Sequence, residues 1–335
     1  NTAVGANVLD ANTTGDENTG LGVSALGVNT TGCYNTAVGR MALFANTTGS
    51  TNTAVGFCAL KANTTAGDNT AVGKNALLVN TTGTLNNSVG SGSLMANTTG
   101  DKNVAMGNDA LRFNTTADNN VAVGYNALQT NTTGTNNVAV GCGALSSTDT
   151  TNDNTGIGFD ALTVNTGSNN TALGSKAFRG NQTSNDGVAV GHCTLFANTT
   201  GASNTGLGAF ALKTNTTGAS NTAVGRGALF SNTTASSNTA VGFETLVNNS
   251  TGAFNTAIGK DALKTNTTAE KNVAVGFCSL NDNTTGHSNI AVGSEALANN
   301  TTAANNVAVG KEALCANTTG ANNVAVGKGA MISAT

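Results

Sequence analysis

The chain has 335 residues, a formal net charge of −3 and no proline, and only 9% of its residues are charged. Ordinary soluble domains carry roughly 25% charged residues. The charge balance argues against a nucleic-acid partner, which would require a basic stripe. No stretch approaches the roughly 18 apolar residues of a membrane span. We therefore expect neither nucleic-acid binding nor a membrane-spanning segment.

One repeat accounts for the whole chain, from the Asn-Thr-Ala-Val-Gly at residues 1–5 to the Asn-Val-Ala-Val-Gly at residues 323–327. The step is 17 residues, apart from one interval of 16 between Asn154 and Asn170. A fixed short period is typical of a solenoid, in which no unit buries its apolar face alone. We predict a single continuous repeat array over residues 1–335. Because neither end has a polar cap, we expect this array to be a segment of a longer protein.

The consensus unit reads Asn-Thr-Ala-Val-Gly-x-x-Ala-Leu-x-x-Asn-Thr-Thr-Gly-x-x, and we number its positions 1 to 17. Asn, Thr, Gly and Val are weak helix formers, whereas Val and Thr favour strands and Asn and Gly favour turns. The unit predicts a strand at positions 1–4, a turn at the glycine of position 5, a short strand at positions 8–11, and a turn at Asn-Thr-Thr-Gly. The predicted fold is an all-β solenoid (β-roll) of about 20 coils.

Two apolar columns indicate the core. Position 4 is always aliphatic or Met, and position 9 is Leu in 18 of the 20 units. Stacked at ~4.8 Å per coil, each buried side chain would contribute roughly 1.5–3 kcal/mol. Of the 31 charged residues, 29 occupy positions 6, 7, 10, 16 or 17, which we expect to face solvent. The predicted core includes Val4, Leu9, Val38, Leu43, Val72, Leu77, Val224, Leu229, Val309 and Leu314.

Position 3 holds only small residues, such as Ala3, Ala37 and Ser88. Alternation along a strand places it on the face opposite position 4. If position 4 points into the coil, position 3 points outward, where its small size favours close packing of two or three parallel, identical chains. Crowding within a single chain is the alternative.

Asparagine fills position 1 in 19 units and position 12 in 18 units. Asn tolerates left-handed turns, and stacked Asn side chains can form ladders between coils. The Asn-Thr-Thr segments also match the N-glycosylation sequon, so glycan attachment is an alternative role. The predicted turn and ladder residues include Asn1, Gly5, Asn12, Asn35, Gly39 and Asn46.

No group of residues indicates catalysis, a cofactor or a metal. The six cysteines are dispersed; Cys142 and Cys193 would lie roughly 14 Å apart, beyond the ~7 Å limit for a disulfide. No cysteine or serine has both an evident base and an orienting acid beside it, as a nucleophilic site requires, and we predict that the chain is not an enzyme. The surface aromatics are expected to be isolated spots that need no special role. Contact with a ligand, a glycan or a neighbouring chain is the alternative; those at position 6 are Phe57, Tyr125, Phe159, Phe243 and Phe277.

The unit resembles repeats in bacterial and phage fibre proteins, including tail fibres that end in a self-cleaving chaperone domain. Its Asn-Thr-Ala-Val-Gly core is similar to the Asn-Ser-Val-Ala-Ile-Gly motif in the heads of trimeric autotransporter adhesins. Those heads are parallel three-chain β-rolls that stand off a surface and bind host matrix, so the resemblance implies a homotrimer. The 17-residue period departs from the shorter adhesin unit, and no binding residue carries over.

The function predicted from these observations is a structural rod, roughly 95 Å long at ~4.8 Å per coil, in an extracellular appendage or a virion tail fibre. It would support adhesion or receptor binding through flanking domains that contact a host surface or glycan. A self-assembling homopolymeric surface filament is one alternative. An ice-binding solenoid is another, because Thr recurs at positions 2, 13 and 14.

Overall fold

A computed structural model describes residues 1–332 of the chain, which contain twenty strands and no helix. The chain comprises two compact units, Asn1–Ser168 and Asn169–Thr335. The strands of the first unit are β1 (Thr2–Val4), β2 (Thr19–Leu21), β3 (Thr36–Val38), β4 (Thr53–Val55), β5 (Thr70–Val72), β6 (Asn87–Val89), β7 (Val104–Met106), β8 (Val121–Val123), β9 (Val138–Val140) and β10 (Thr155–Ile157). Those of the second unit are β11 (Thr171–Leu173), β12 (Val188–Val190), β13 (Thr205–Leu207), β14 (Thr222–Val224), β15 (Thr239–Val241), β16 (Thr256–Ile258), β17 (Val273–Val275), β18 (Ile290–Val292), β19 (Val307–Val309) and β20 (Val324–Val326).

Within each unit every strand pairs in parallel with the strand of the next coil. The register equals the repeat: Thr36 lies opposite Thr53 in the first unit, and Thr222 lies opposite Thr239 in the second. Identical residues therefore stack in columns along each unit. The prediction of an all-β solenoid with 17 residues per coil is confirmed.

Each coil contains one strand rather than the two that we predicted. Positions 8–11 form a run of turns, because the residues at positions 7 and 9 are left-handed, as at Met41 (φ 60°) and Leu43 (φ 50°). This backbone still bonds to neighbouring coils: the Leu43 amide donates to the Ala59 carbonyl (3.0 Å), and the Met41 amide donates to that of Val23 (3.0 Å). The coil is closed by hydrogen-bonded turns where an extended segment was expected.

The strand presents the opposite face to the core from the one we predicted. Position 3 is buried and positions 2 and 4 face outward: Ala37 is fully buried, whereas Val4 is 55% exposed and Val309 is 37% exposed. The other predicted core valines, Val38, Val72 and Val224, are only partly buried. In the leucine column Leu9 of the first coil is partly exposed, whereas Leu43, Leu77, Leu229 and Leu314 are fully buried.

The side chains at positions 8 and 9 explain why position 3 must be small. A Cβ built at Gly156, which occupies position 3, would lie 3.2 Å from Cγ of Leu145, the position-9 leucine of the preceding coil. A Cβ at Gly206 would lie 2.5 Å from Cγ2 of Thr194, a position-8 side chain of the preceding coil. These side chains fill the coil opposite the strand, so only Ala, Gly or Ser fits at position 3. Crowding within one chain therefore accounts for the small-residue column, and our inference of chain packing from that column was wrong.

Two ladders of buried asparagines line the rest of the core. In the position-12 ladder, Asn46 Nδ2 donates to Asn29 Oδ1 of the preceding coil (2.8 Å) and to the Gly49 carbonyl (2.8 Å). In the position-1 ladder, Asn35 Oδ1 accepts from the Asn52 amide (3.0 Å), and Asn35 Nδ2 donates to the same Gly49 carbonyl (2.9 Å). Both ladders thus meet at one carbonyl in each regular coil.

The same arrangement opens the first unit, where Asn1 and Asn12 both donate to the Gly15 carbonyl (2.7 and 2.9 Å). Satisfied amides avoid the roughly 1–3 kcal/mol cost of a buried unpaired polar group. The sequon asparagine Asn46 is fully buried with its amide nitrogen bonded twice, so a glycan there would remove it from the ladder. This geometry favours the ladder role over glycan attachment.

Position 5 is glycine in all twenty units, because its backbone has a positive φ and lies against the backbone of the next coil. Gly39 has φ +132°, and a Cβ on it would lie 2.7 Å from the carbonyl carbon of Gly56. Both the backbone conformation and the space exclude a side chain.

The position-12 ladder is interrupted once within the first unit. Thr148 stands where the consensus has Asn, so it lacks an amide to donate to Asn131 Oδ1 of the preceding coil. Asn131 Oδ1 and Thr148 Oγ1 are both buried without a hydrogen-bond partner.

We predict that Thr148→Asn stabilises the protein, because its amide would pair with Asn131 Oδ1. The expected gain in free energy of unfolding is about 1 kcal/mol, measured by urea-induced unfolding. Thr150→Asn is the matched control, since Thr150 is exposed and outside the ladder. A Thr148→Asn variant no more stable than the control would contradict the account.

Two departures from the consensus compensate each other in the second unit. Phe178 replaces the core leucine and is fully buried, and Gly187 replaces the asparagine of the following coil. A Cβ on Gly187 would lie within 2.6 Å of Phe178 Cζ. The Gly187 backbone keeps its ladder role, because its amide donates to Asn170 Oδ1 (2.9 Å).

A double-mutant cycle tests this compensation. Gly187→Asn alone should cost about 1–3 kcal/mol through overpacking against Phe178, and Phe178→Leu alone should leave a cavity. The double variant restores the consensus pair and should be more stable than the sum of the single effects predicts, by roughly 0.5–3 kcal/mol in thermal or urea unfolding. Additive effects would show that the two sites do not interact.

Candidate functional site

The first candidate surface is the outer strand face, which we define as positions 2 and 4 of the coils. Position 2 is Thr, Val, Ile or Asn and position 4 is aliphatic or Met, so neither position carries a charge in any unit. Many of the side chains are exposed. Those of the first unit are Val4, Leu21, Val89 and Met106; those of the second are Leu173, Val188, Leu207, Ile258, Ile290, Val292, Val309, Val324 and Val326. Each unit therefore presents an uncharged, largely apolar strip along its coils.

A second surface, formed by positions 6, 7 and 10, holds cations beside aromatic rings. The Arg226 guanidinium lies 5.6 Å from the Phe243 ring centroid, and Lys260 Nζ lies 6.0 and 5.7 Å from the centroids of Phe243 and Phe277. In the first unit Arg40 lies 5.7 Å from the Phe57 centroid. Exposed cation–π contacts of this kind contribute about 0.5–1 kcal/mol.

These contacts correct the expectation that the aromatics are isolated spots. Arg226, Phe243, Lys260 and Phe277 follow one another at intervals of 17 in the sequence, so a cation and a ring alternate in one column. Reading position 6 down successive units would have revealed this alternation. Tyr125 and Phe159, also at position 6, are 57% and 50% exposed.

Carboxylates complete the charge pattern of the second surface. Lys264 Nζ lies 3.0 Å from Asp261 Oδ1 and 3.2 Å from Glu244 Oε2. The hydrogen bond to Asp261, followed by that to Glu244, raises the pKa of Lys264 above its usual value, so the lysine keeps its charge to higher pH than an isolated lysine would. Glu244 Oε1 also faces Arg226 Nη1 at 3.9 Å.

A shallow depression of about 220 Å³ lies on this surface. Its lining residues are Phe210, Arg226, Gly227, Phe230, Glu244 and Val247. In the first unit, a more apolar depression of about 380 Å³ is lined by Phe44, Ala45, Lys61, Ala62, Leu78 and Val79. We did not predict either depression, because each depends on side-chain conformations that the repeat pattern does not specify.

One cysteine has a histidine neighbour. Cys193 Sγ lies 3.3 Å from His192 Nε2, and the His192 ring packs edge-on against Phe210 with centroids 5.4 Å apart. Within residues 1–332 there is no group of three or more His, Cys, Asp or Glu side chains placed to hold a metal ion. All six cysteines are free thiols.

Burial raises the pKa of the Cys278 thiol above its usual value, with a further contribution from Asp261 and Glu295. Burial likewise raises the pKa of Cys315, assisted by Glu295 and Glu312. A raised pKa lowers the thiolate fraction at any pH below it, and the thiolate is the nucleophile. Both thiols should therefore be weak nucleophiles at neutral pH.

We predict that iodoacetamide alkylates Cys278 and Cys315 with rates that continue to rise above pH 9, followed site by site by mass spectrometry. Glu312→Gln should shift the Cys315 profile to lower pH and leave that of Cys278 unchanged, since Glu312 raises the pKa of Cys315 and does not act on that of Cys278. Equal shifts at both cysteines, or none, would show that the carboxylate does not act as inferred.

No protein-family model and no curated protein matches this chain. A search of residues 1–332 also finds no helix with the length and apolar character needed to cross a membrane.

Proposed function

We propose that the chain is a structural, non-enzymatic shaft segment of an extracellular fibre, in a cell-surface appendage or a virion tail fibre. The observation that carries the proposal is the uniformity of the coil. Backbone ladders, paired asparagines and the glycine column recur from coil to coil in both units. A coil repeated in this way yields length and stiffness, and its role is to hold a flanking adhesive or receptor-binding part away from a base.

We further propose that identical chains pack together through the outer strand face, as a trimer or a larger assembly. Soluble monomers rarely expose contiguous apolar patches beyond a few hundred Å², and this strip is uncharged throughout each unit. A second copy is the partner that fits best, because its coils repeat at the same spacing and its side chains can interdigitate in every coil. The trimer rests on the resemblance to fibre repeats.

The test introduces charge into the outer strand face. Val224→Lys with Val241→Lys should reduce the sedimentation coefficient from that of an oligomer to that of a monomer, because burying two unpaired lysines in an interface is costly. Ser220→Lys with Ser237→Lys is the matched control: it adds the same charge at position 17, where Lys102 occurs naturally. That control should remain oligomeric.

Electron micrographs of the unmodified protein should show elongated particles containing more than one chain. A compact monomer, or an oligomer unaffected by the two valine substitutions, would refute packing through this face.

Ice binding is the second candidate, favoured by the threonines on the flat outer strand face. The position-13 hydroxyls do not add to that array, since Thr47 Oγ1 already donates to the Thr64 carbonyl (3.1 Å). A monomer with thermal hysteresis would select that candidate instead.

A further inference from the structure

The depression between Phe210 and Glu244 arises where the repeat departs from its own pattern. Phe210, Gly227 and Glu244 occupy position 7 of three successive units, and Phe210 is the one aromatic residue at that position in the chain. Because Gly227 has no side chain, a gap opens between the ring on one side and the carboxylate on the other. Phe230 and Val247, both at position 10, line the same gap.

The polar groups of the depression retain hydrogen-bonding capacity. Arg226 Nη1 and Glu244 Oε1 are 3.9 Å apart, well beyond the ~2.7–2.9 Å of a charge-assisted hydrogen bond. Each is held by a neighbour outside the depression: Arg226 by the Phe243 ring, and Glu244, through Oε2, by Lys264. A donor and an acceptor thus lie side by side among the residues that line the depression, which include two aromatic rings.

Charge and size restrict what the depression can bind. A cationic ligand is disfavoured, since Lys213 Nζ already lies 5.3 and 5.2 Å from the ring centroids of Phe210 and Phe230. A simple inorganic anion would meet the Glu244 carboxylate and would make no use of the apolar lining residues Phe210, Phe230 and Val247. The volume, about 220 Å³, is below the roughly 300–1,000 Å³ of sites for drug-sized ligands. The ligand that fits is small and neutral, with an apolar face and adjacent hydrogen-bonding groups.

We propose that this depression binds one pyranose ring of a neutral saccharide. The C–H face of the sugar packs on Phe210 and Phe230, one ring hydroxyl donates to Glu244 Oε1, and the adjacent hydroxyl accepts from Arg226 Nη1. For a ligand of about a dozen heavy atoms in an open site, the dissociation constant is on the order of 1 mM. The site lies within the second unit and does not depend on the proposed shaft function.

Saturation-transfer difference NMR on the full chain tests this proposal with methyl β-glucopyranoside, methyl β-galactopyranoside and the acyclic polyol sorbitol. We expect transfer to at least one glycoside, strongest at the axial hydrogens H1, H3 and H5 of the glucoside or the C–H face of the galactoside, and none to sorbitol. Absence of transfer to both glycosides, or equal transfer to sorbitol, would overturn the proposal.

Gly227→Met fills the depression and should reduce the signal at least fivefold. Position 7 accepts this side chain, because Met41 stands there with φ 60°, close to the φ of Gly227 (+68°). Gly143→Met is the matched control, a glycine with φ +69° at position 7 of the first unit, and should leave the signal unchanged. Phe230→Leu keeps the volume apolar but removes a ring, and should also weaken transfer. A wild-type signal in Gly227→Met, or equal loss in Gly143→Met, would show that the sugar binds elsewhere.

Discussion

The hydrogen bond between one coil and the next is the interaction on which the rest of this structure depends. A 17-residue coil encloses too little space for a conventional apolar core, so much of its interior is backbone and amide. Those groups are tolerable because nearly all of them find a partner in an adjacent coil or turn, the break at Asn131 and Thr148 being an exception. The position-15 carbonyl, which accepts from both asparagine ladders at Gly49, shows how closely the requirement is met.

That requirement also explains the unusual backbone. Leucines such as Leu43 and Leu229 adopt left-handed conformations, with φ near 50°, which a branched side chain rarely adopts. An isolated coil would not hold this geometry. The neighbouring coils impose it, because the leucine amide donates to a carbonyl one coil away and its side chain fills the interior opposite the strand. The local strain is offset by contacts that exist only in the stack.

The repeat period, the parallel register, the asparagine ladders and the glycine column could all be predicted from the sequence, because each depends on residue identity at a fixed spacing. Which strand face is buried could not be predicted in the same way. Alternation requires Ala37 and Val38 to face opposite sides of the strand. Hydropathy alone favours burial of Val38, whereas the structure buries Ala37. The volume already taken by the side chains at positions 8 and 9 decides which face is buried. Their placement follows from a left-handed turn that no propensity scale indicates.

The candidate surfaces also differ in how far the sequence predicts them. The alternation of Arg226, Phe243 and Lys260 can be read from the sequence once the repeat is aligned, because identical columns become neighbours in space. The depression at Gly227 requires knowing where the Phe210 and Phe230 rings point. The depression arises because the residue at position 7 differs between neighbouring units, whereas the outer strand face arises because positions 2 and 4 are uncharged in every unit. A uniform scaffold therefore makes a local exception easy to recognise.

The position-12 ladder has one more consequence. In the regular coils the asparagine-to-asparagine bonds of this ladder point the same way: the amide donates to the preceding coil, as Asn46 does to Asn29, and the oxygen accepts from the following coil, as Asn46 Oδ1 does from Asn63. The stack is therefore polar, with donors facing one way and acceptors the other. Two such stacks placed end to end can continue the ladder only head to tail, because the reverse contact would bring donor to donor or acceptor to acceptor. Any structure that lengthens by joining these ladders must have a direction.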